Sequence, residues 1–167
     1  MGRIEVQATG ERERTEKQAE ASLLVSGQRG PIRGDGHNPA AGVKVLVVDG
    51  NQDAADSLRM LLSLSGYDCR VAYTGPTALT LAEAFRPHVL FADVILPELN
   101  GLQLAHDLRA LLGGEVPLLI ALTGLGRPED HQRTQAAGYR HHLLKPADPL
   151  RLLELLANAA KAPSKTV

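Results

Sequence analysis

The sequence predicts an α/β fold, a doubly wound parallel sheet of five strands with helices on both faces and strand order 2-1-3-4-5. Three observations predict it. From Val43 onward, strand-like apolar runs alternate five times with segments of helical periodicity, the pattern that builds parallel sheets through short crossover connections. The first run from Val45 to Val48, and the third and fourth runs, are continuously apolar, as strands buried on both faces require. Four of the runs end on a polar residue, Asp49, Asp93, Thr123 and Lys145, at the strand tips where open α/β sheets collect their ligands.

Each element follows in order. Residues 43–48 form the first strand. Residues 51–65 form a helix with Ala55, Leu58, Leu61, Leu62 and Ser65 on one face, stopped by Gly66. Residues 68–73 alternate polar and apolar, which marks an edge strand and sets the order 2-1-3-4-5. Residues 76–85 are helical with proline in the first turn. Residues 89–92 are the third strand. Residues 101–112 are a helix in which Leu104, Leu108, Leu111 and Leu112 recur at helical spacing, ended by Gly113-Gly114. Residues 118–122 are the fourth strand, 128–137 a polar helix stopped by Gly138, and 141–144 the fifth strand. Asp148 caps the last helix, with Pro149 at its first position, and that helix runs to about Lys161. Most of its leucines (Leu150, Leu152, Leu153, Leu155 and Leu156) belong to the core, and their number leaves part of the face for a partner.

The chain has 167 residues, 44% hydrophobic and 3% aromatic, so one domain with a core of Leu, Val, Ile and Ala is expected, together with a tail. The net charge of −1 provides no basic excess for nucleic acid or an anionic membrane. The single cysteine, Cys69, excludes an internal disulfide and fits a reducing compartment. Lying in a strand, it reads as a small buried hydrophobe. No apolar stretch approaches the roughly 20 residues of a membrane span, and no apolar signal region opens the chain. The cytoplasm is the default location. Residues 1–42 carry six basic and six acidic residues and no aromatic, and cannot bury enough surface to offset their ordering entropy. They read as a disordered tail, or as a stretch upstream of the true start. Residues 43–161 form the domain, and 162–167 a disordered C-terminus.

Asp49 and Asp93 come from neighbouring strands that flank the topological switch point. Two carboxylates so close repel unless a cation joins them. Oxygen ligands without His or Cys favour a hard ion such as Mg²⁺. Thr123 and Lys145 add donors in the same crevice, which makes a cradle for a phosphoryl group. Aspartate is a competent nucleophile for phosphoryl transfer, so the residues suggest reversible acyl-phosphate chemistry at Asp93, with Lys145 offsetting charge.

Four strings in fixed order carry a family resemblance: VLVVDGNQDAADSL at residues 45–58, ADVILPELNG at 92–101, ALTG at 121–124 and HHLLKP at 141–146. Together they resemble the receiver domain of two-component response regulators, over about residues 43–160. The resemblance implies a flavodoxin-like (βα)₅ fold and a signalling phosphoacceptor rather than an enzyme. It implies Asp93 as phosphoacceptor, Thr123 as the residue that senses the phosphoryl group, and Lys145, after a cis Lys145-Pro146 bond, as its partner. It further implies Mg²⁺ held by Asp49, Asp93 and the Ile95 backbone carbonyl. The implied partners are a histidine kinase or phosphotransfer protein as donor, and a downstream protein on the face of the fourth helix, fifth strand and fifth helix.

Two positions depart from the family pattern. The second of the paired acids after the first strand is Gly50, which weakens the metal site. His142 stands three residues before the lysine, where many receivers carry Tyr or Phe. It reads either as a half-exposed strand histidine or as a more polar, pH-responsive switch. The leading expectation is a single-domain receiver that acts through another protein. The alternative is a degenerate receiver that binds partners independently of phosphate. A flavin- or nucleotide-binding enzyme is disfavoured, because the loop at residues 49–53 is acidic and lacks a phosphate-binding pattern. A phosphohydrolase is disfavoured because Ile95 stands where a second acid would act.

Overall fold

The computed structural model describes residue 40 and residues 42–161. The segments expected as tails therefore fall almost entirely outside the described residues. Ala40 is an exception: it is buried, and its carbonyl accepts from the Val43 N–H at 3.1 Å.

Five strands, β1 (Lys44–Val48), β2 (Asp68–Ala72), β3 (Val89–Ala92), β4 (Leu118–Thr123) and β5 (His141–Leu144), pair in parallel in the order β2-β1-β3-β4-β5. Among the described residues, five helices connect and follow them: α1 (Gln52–Leu64), α2 (Gly75–Phe85), α3 (Gly101–Leu112), α4 (Pro128–Ala137) and α5 (Pro149–Lys161). This is the flavodoxin-like architecture and order that the alternation predicts, with β2 at an edge.

The caps follow sequence chemistry. Asn51, Thr74 and Asn100 each accept a backbone N–H of the first turn of α1, α2 and α3. The Asp148 carboxylate accepts the Leu150 N–H at 3.0 Å, which satisfies a donor that the start of α5 would otherwise leave open.

Side chains alternate across each strand, and the sheet therefore divides the core in two. Leu46, Leu90, Ala92, Leu119 and Ala121 pack with Ala78, Ala82, Leu104, Ala105 and Leu108 on the side of α2 and α3. Val45, Val47, Val89, Phe91 and Ile120 pack with Ala55, Leu62, Leu152, Leu155 and Leu156 on the side of α1 and α5. Each such aliphatic side chain taken fully out of water contributes about 1.5–3 kcal/mol. Leu150 departs from its neighbours and is 70% exposed, because it sits in the first turn of α5 ahead of the buried stripe. Cys69 is only partly buried, since β2 is an edge strand, but burial pushes its thiol up to about 12.

Candidate functional site

The sheet register brings the polar strand ends together. Val48 of β1 pairs with Ala92 of β3, so the following residues, Asp49 and Asp93, leave the sheet at the same level. Backbone bonds fix both: the Asp49 N–H donates to the Ala72 carbonyl at 3.1 Å and the Asp93 N–H to the Val48 carbonyl at 2.9 Å. On the far side, the Lys145 N–H donates to the Thr123 carbonyl at 2.9 Å, and the Lys145-Pro146 peptide bond is cis.

Lys145 reaches across the sheet to both acids. Its Nζ donates to Asp49 Oδ2 and to Asp93 Oδ2, each at 2.6 Å. The remaining oxygens serve the backbone: Asp49 Oδ1 accepts the Asn51 N–H at 2.9 Å, and Asp93 Oδ1 accepts the Ile95 N–H at 2.9 Å. The two carboxylates are thus held in matching fashion, one oxygen on a loop amide and one on a shared ammonium. Partial burial pushes the Lys145 ammonium down, but the hydrogen bonds and charges of Asp49 and Asp93 outweigh it and raise it from its ordinary value. Asp49 is buried, Asp93 and Lys145 partly so, and Thr123 fully. Thr123 Oγ1 accepts the Leu125 N–H at 3.2 Å.

The loop after β3 is pinned from behind. A Cβ on Gly101 would lie 2.5 Å from the Asp93 carbonyl oxygen, so only glycine lets the start of α3 come this close. The Gly101 carbonyl accepts from Tyr139 Oη at 2.7 Å, and burial, then the Asp93 charge, push that hydroxyl up.

Gly50 is exposed and offers no side-chain ligand beside Asp49. A Cβ there would lie 2.8 Å from Pro97 Cδ. Two carboxylates and a nearby loop carbonyl remain as hard oxygen donors, a set that suits a divalent cation with water completing its shell, but Lys145 already occupies one oxygen of each acid. Among the described residues, no group of three or more His, Cys, Asp or Glu is arranged to hold a metal. Ile95 is 63% exposed.

Asp49, Asp93, Thr123 and Lys145 therefore lie at the C-terminal ends of the strands, Gly50 and Ile95 lie in the loops that follow, and His142 is the second residue of β5. Asp49, Asp93 and Lys145 are in direct contact, whereas Thr123 and His142 belong to a neighbouring network. His142 is half-buried and bonded through both ring nitrogens, to Thr134 Oγ1 at 3.0 Å and to the Leu125 carbonyl at 2.8 Å. Thr134, His131, Leu125 and Tyr139 were not legible as site residues. A polar helix and a single tyrosine before a strand carry no periodic or strand-end signal.

A doubly wound module with a lysine-bridged acidic crevice at its topological switch point is the class that fold and site define together. The family model for the response regulator receiver domain matches residues 45–157, and the chain belongs to that family, the receiver domains of two-component systems, for which phosphorylation is characteristic. An uncharacterized 14.6 kDa protein from Leptolyngbya boryana is 40% identical over 70% of this chain and 88% of its own length. Response regulator MprA of Mycobacterium bovis is 36% identical over 69% of this chain; the match spans about half of MprA, 48% of its length. Among solved structures, chemotaxis response regulator CheY4 of Vibrio cholerae superposes with a TM-score of 0.65 at 29% identity, covering 70% of this chain and 98% of that one. The Francisella response regulator 1452 receiver domain superposes with a TM-score of 0.66 at 28% identity, covering 71% and 97%. Among the described residues, no helix is long and apolar enough to cross a membrane.

Proposed function

We propose that this receiver accepts a phosphoryl group on Asp93 from a histidine kinase or phosphotransfer protein and signals through protein–protein contacts as a single-domain regulator in the cytoplasm. The observation that carries the reading is Lys145 Nζ, 2.6 Å from a carboxylate oxygen of both Asp49 and Asp93. The Asp93 carboxylate attacks the donor's phosphorus, a P–N or P–O bond breaks, and an acyl phosphate forms. Lys145 then neutralises the added charge, and Thr123 and His142 register it. Residues 43–161 act as the module, and the downstream protein binds the face of α4, β5 and α5. The chemistry is that of a signalling phosphoacceptor rather than an enzyme.

Asp49, Asp93 and the Ile95 carbonyl would hold Mg²⁺, which supplies charge neutralisation on the phosphoryl oxygens. Without an acid at position 50, its affinity falls by about 10–100-fold, roughly 1.4–2.8 kcal/mol. The exposed apolar Ile95 provides no base for an attacking water and lengthens the life of the acyl phosphate; a lifetime of seconds would contradict this.

Gly50 also supports a second reading, a binding module that does not use phosphate. Incubation with acetyl phosphate across a Mg²⁺ titration, read by intact mass with Asp93→Asn as control, separates the two. A gain of one phosphoryl group in the wild type alone supports the phosphoacceptor. No gain at any Mg²⁺ concentration favours phosphate-independent binding.

A further inference from the structure

A second polar network lies where β5, α4 and the loop after β4 meet. The His142 ring stands between two partners, with Nδ1 3.0 Å from Thr134 Oγ1 and Nε2 2.8 Å from the Leu125 carbonyl oxygen. The His131 ring stacks on it, with centroids 3.8 Å apart and 24° between the planes. A carbonyl oxygen only accepts, so Nε2 carries a proton and donates to Leu125. In the neutral ring Nδ1 is then an acceptor, and the hydroxyl within reach is Thr134. That hydroxyl also lies 3.0 Å from the His131 carbonyl, so rotation about one bond shares its proton between the two acceptors.

Two features set Thr134 apart from its surroundings. It is the one buried residue of α4, an otherwise polar helix. A buried hydroxyl is costly unless hydrogen-bonded, and this one reaches both the His131 carbonyl of its own helix and the His142 ring from β5. Leu125, at the other end of the chain of contacts, is held twice. Its carbonyl accepts from His142, and its N–H donates to Thr123 Oγ1 at 3.2 Å. A continuous line of hydrogen bonds thus runs from Thr123 through Leu125 and His142 to Thr134 on α4.

We infer that Thr134 is a positioning residue for the switch. Its hydroxyl braces Nδ1 of the His142 ring, whose Nε2–H the Leu125 carbonyl fixes, so that the ring ties α4 to the loop that follows Thr123. Its signalling role rests on the proposed phosphorylation of Asp93, because a displaced Thr123 is what the line of bonds would transmit. The latch itself exists without phosphate and is testable without it.

Thr134→Val keeps the side-chain shape and removes the hydroxyl, and Thr134→Ser keeps the hydroxyl. Nitrogen-15 NMR of the neutral His142 ring should show one tautomer, protonated at Nε2, in the wild type and in Thr134→Ser. In Thr134→Val the ring should stay protonated at Nε2, but its Nδ1 resonance should move to that of an acceptor without a hydrogen-bond donor. Protection of the Leu125 amide against hydrogen exchange should fall by about five- to tenfold in Thr134→Val, the equivalent of one net hydrogen bond, and recover in Thr134→Ser. After acetyl phosphate treatment, Thr134→Val should gain phosphoryl mass like the wild type but lose the resonance shifts along α4. An unmoved Nδ1 resonance and unchanged Leu125 protection in Thr134→Val would overturn the latch, as would a moved Nδ1 resonance and lost protection in Thr134→Ser. If the wild type gains no phosphoryl mass, the Asp93 reading and the signalling role fail together, while the Nδ1 resonance and the Leu125 protection still decide whether Thr134 braces the ring.

Discussion

The two halves of the strand-tip surface are built by different means. On the acidic side, charge spans long sequence separations: Lys145 meets Asp93 across 52 residues and Asp49 across 96. On the other side, His142 reaches Thr134 and Leu125, 8 and 17 residues away, through hydrogen bonds alone. The acidic half sets two carboxylates against one ammonium, so its cohesion depends on charge balance. The other half carries no compulsory ion and depends on donor and acceptor matching. On the proposed phosphorylation of Asp93, a charge change placed in the first half would be read in the second as a rearrangement of hydrogen bonds.

The sharpest way to probe that contrast is at Gly50. Gly50→Asp should raise apparent Mg²⁺ affinity by about 10–100-fold, measured by calorimetric titration. Because a Cβ here meets Pro97 Cδ at 2.8 Å, the gain should be larger when Pro97→Ala makes room. If neither variant binds Mg²⁺ more tightly, the Lys145 bridge rather than the missing ligand limits the site.

Next in size is Lys145→Met, which leaves two carboxylates facing each other. Unfolding in urea should show a loss of about 2 kcal/mol, below the usual cost of breaking a buried pair because the ammonium is partly solvated. Mg²⁺ should restore part of it. Since Asp49 and Asp93 raise the Lys145 value above its ordinary 10.5, the bridge's contribution is complete below that pH and is lost as pH climbs through the raised value. The stability gap between wild type and Lys145→Met should therefore stay constant from neutral pH to about that point and close above it.

Tyr139→Phe removes the bond to the Gly101 carbonyl and should cost about 1 kcal/mol by the same urea assay, with the Asp93 loop the first region to lose exchange protection. The smallest effect is at Cys69. With burial, opposed by Arg59 and reinforced by Asp68, holding its thiol up at about 12, it should label slowly with a thiol reagent at neutral pH until the protein is unfolded. Prompt labelling of the folded protein would show that the β2 edge opens.

The fold was legible because its signals are local and repeated. The apolar runs that became β1, β3 and β4, the Asp148 cap, and the Gly113 and Gly138 stops lie where residue type alone places them, whereas Asn51, read as the first residue of its helix, is the N-cap of α1. The crevice was legible for the same reason, since Asp49, Asp93, Thr123 and Lys145 each terminate a strand. What stayed hidden is tertiary. Whether a cation must be supplied to join the two acids depends on how far Lys145 extends, and the structure shows it spanning both. The role of Thr134 depends on which face of a polar helix turns inward, and α4 has too little apolar periodicity to announce one. Pro97 against Gly50 depends on a loop path that no pattern encodes.

The division of the core by the sheet has a consequence for how this domain tolerates change. Leu108 and Leu156 lie in separate clusters that share no side chain and meet only through the strand backbones. Replacing both with alanine should cost the sum of the two single losses to within about 0.5 kcal/mol. Each compartment can then accumulate substitutions on its own account. The α2–α3 side can be reshaped while the α1–α5 side keeps its packing, so the domain can drift toward new contacts on one flank without renegotiating the other.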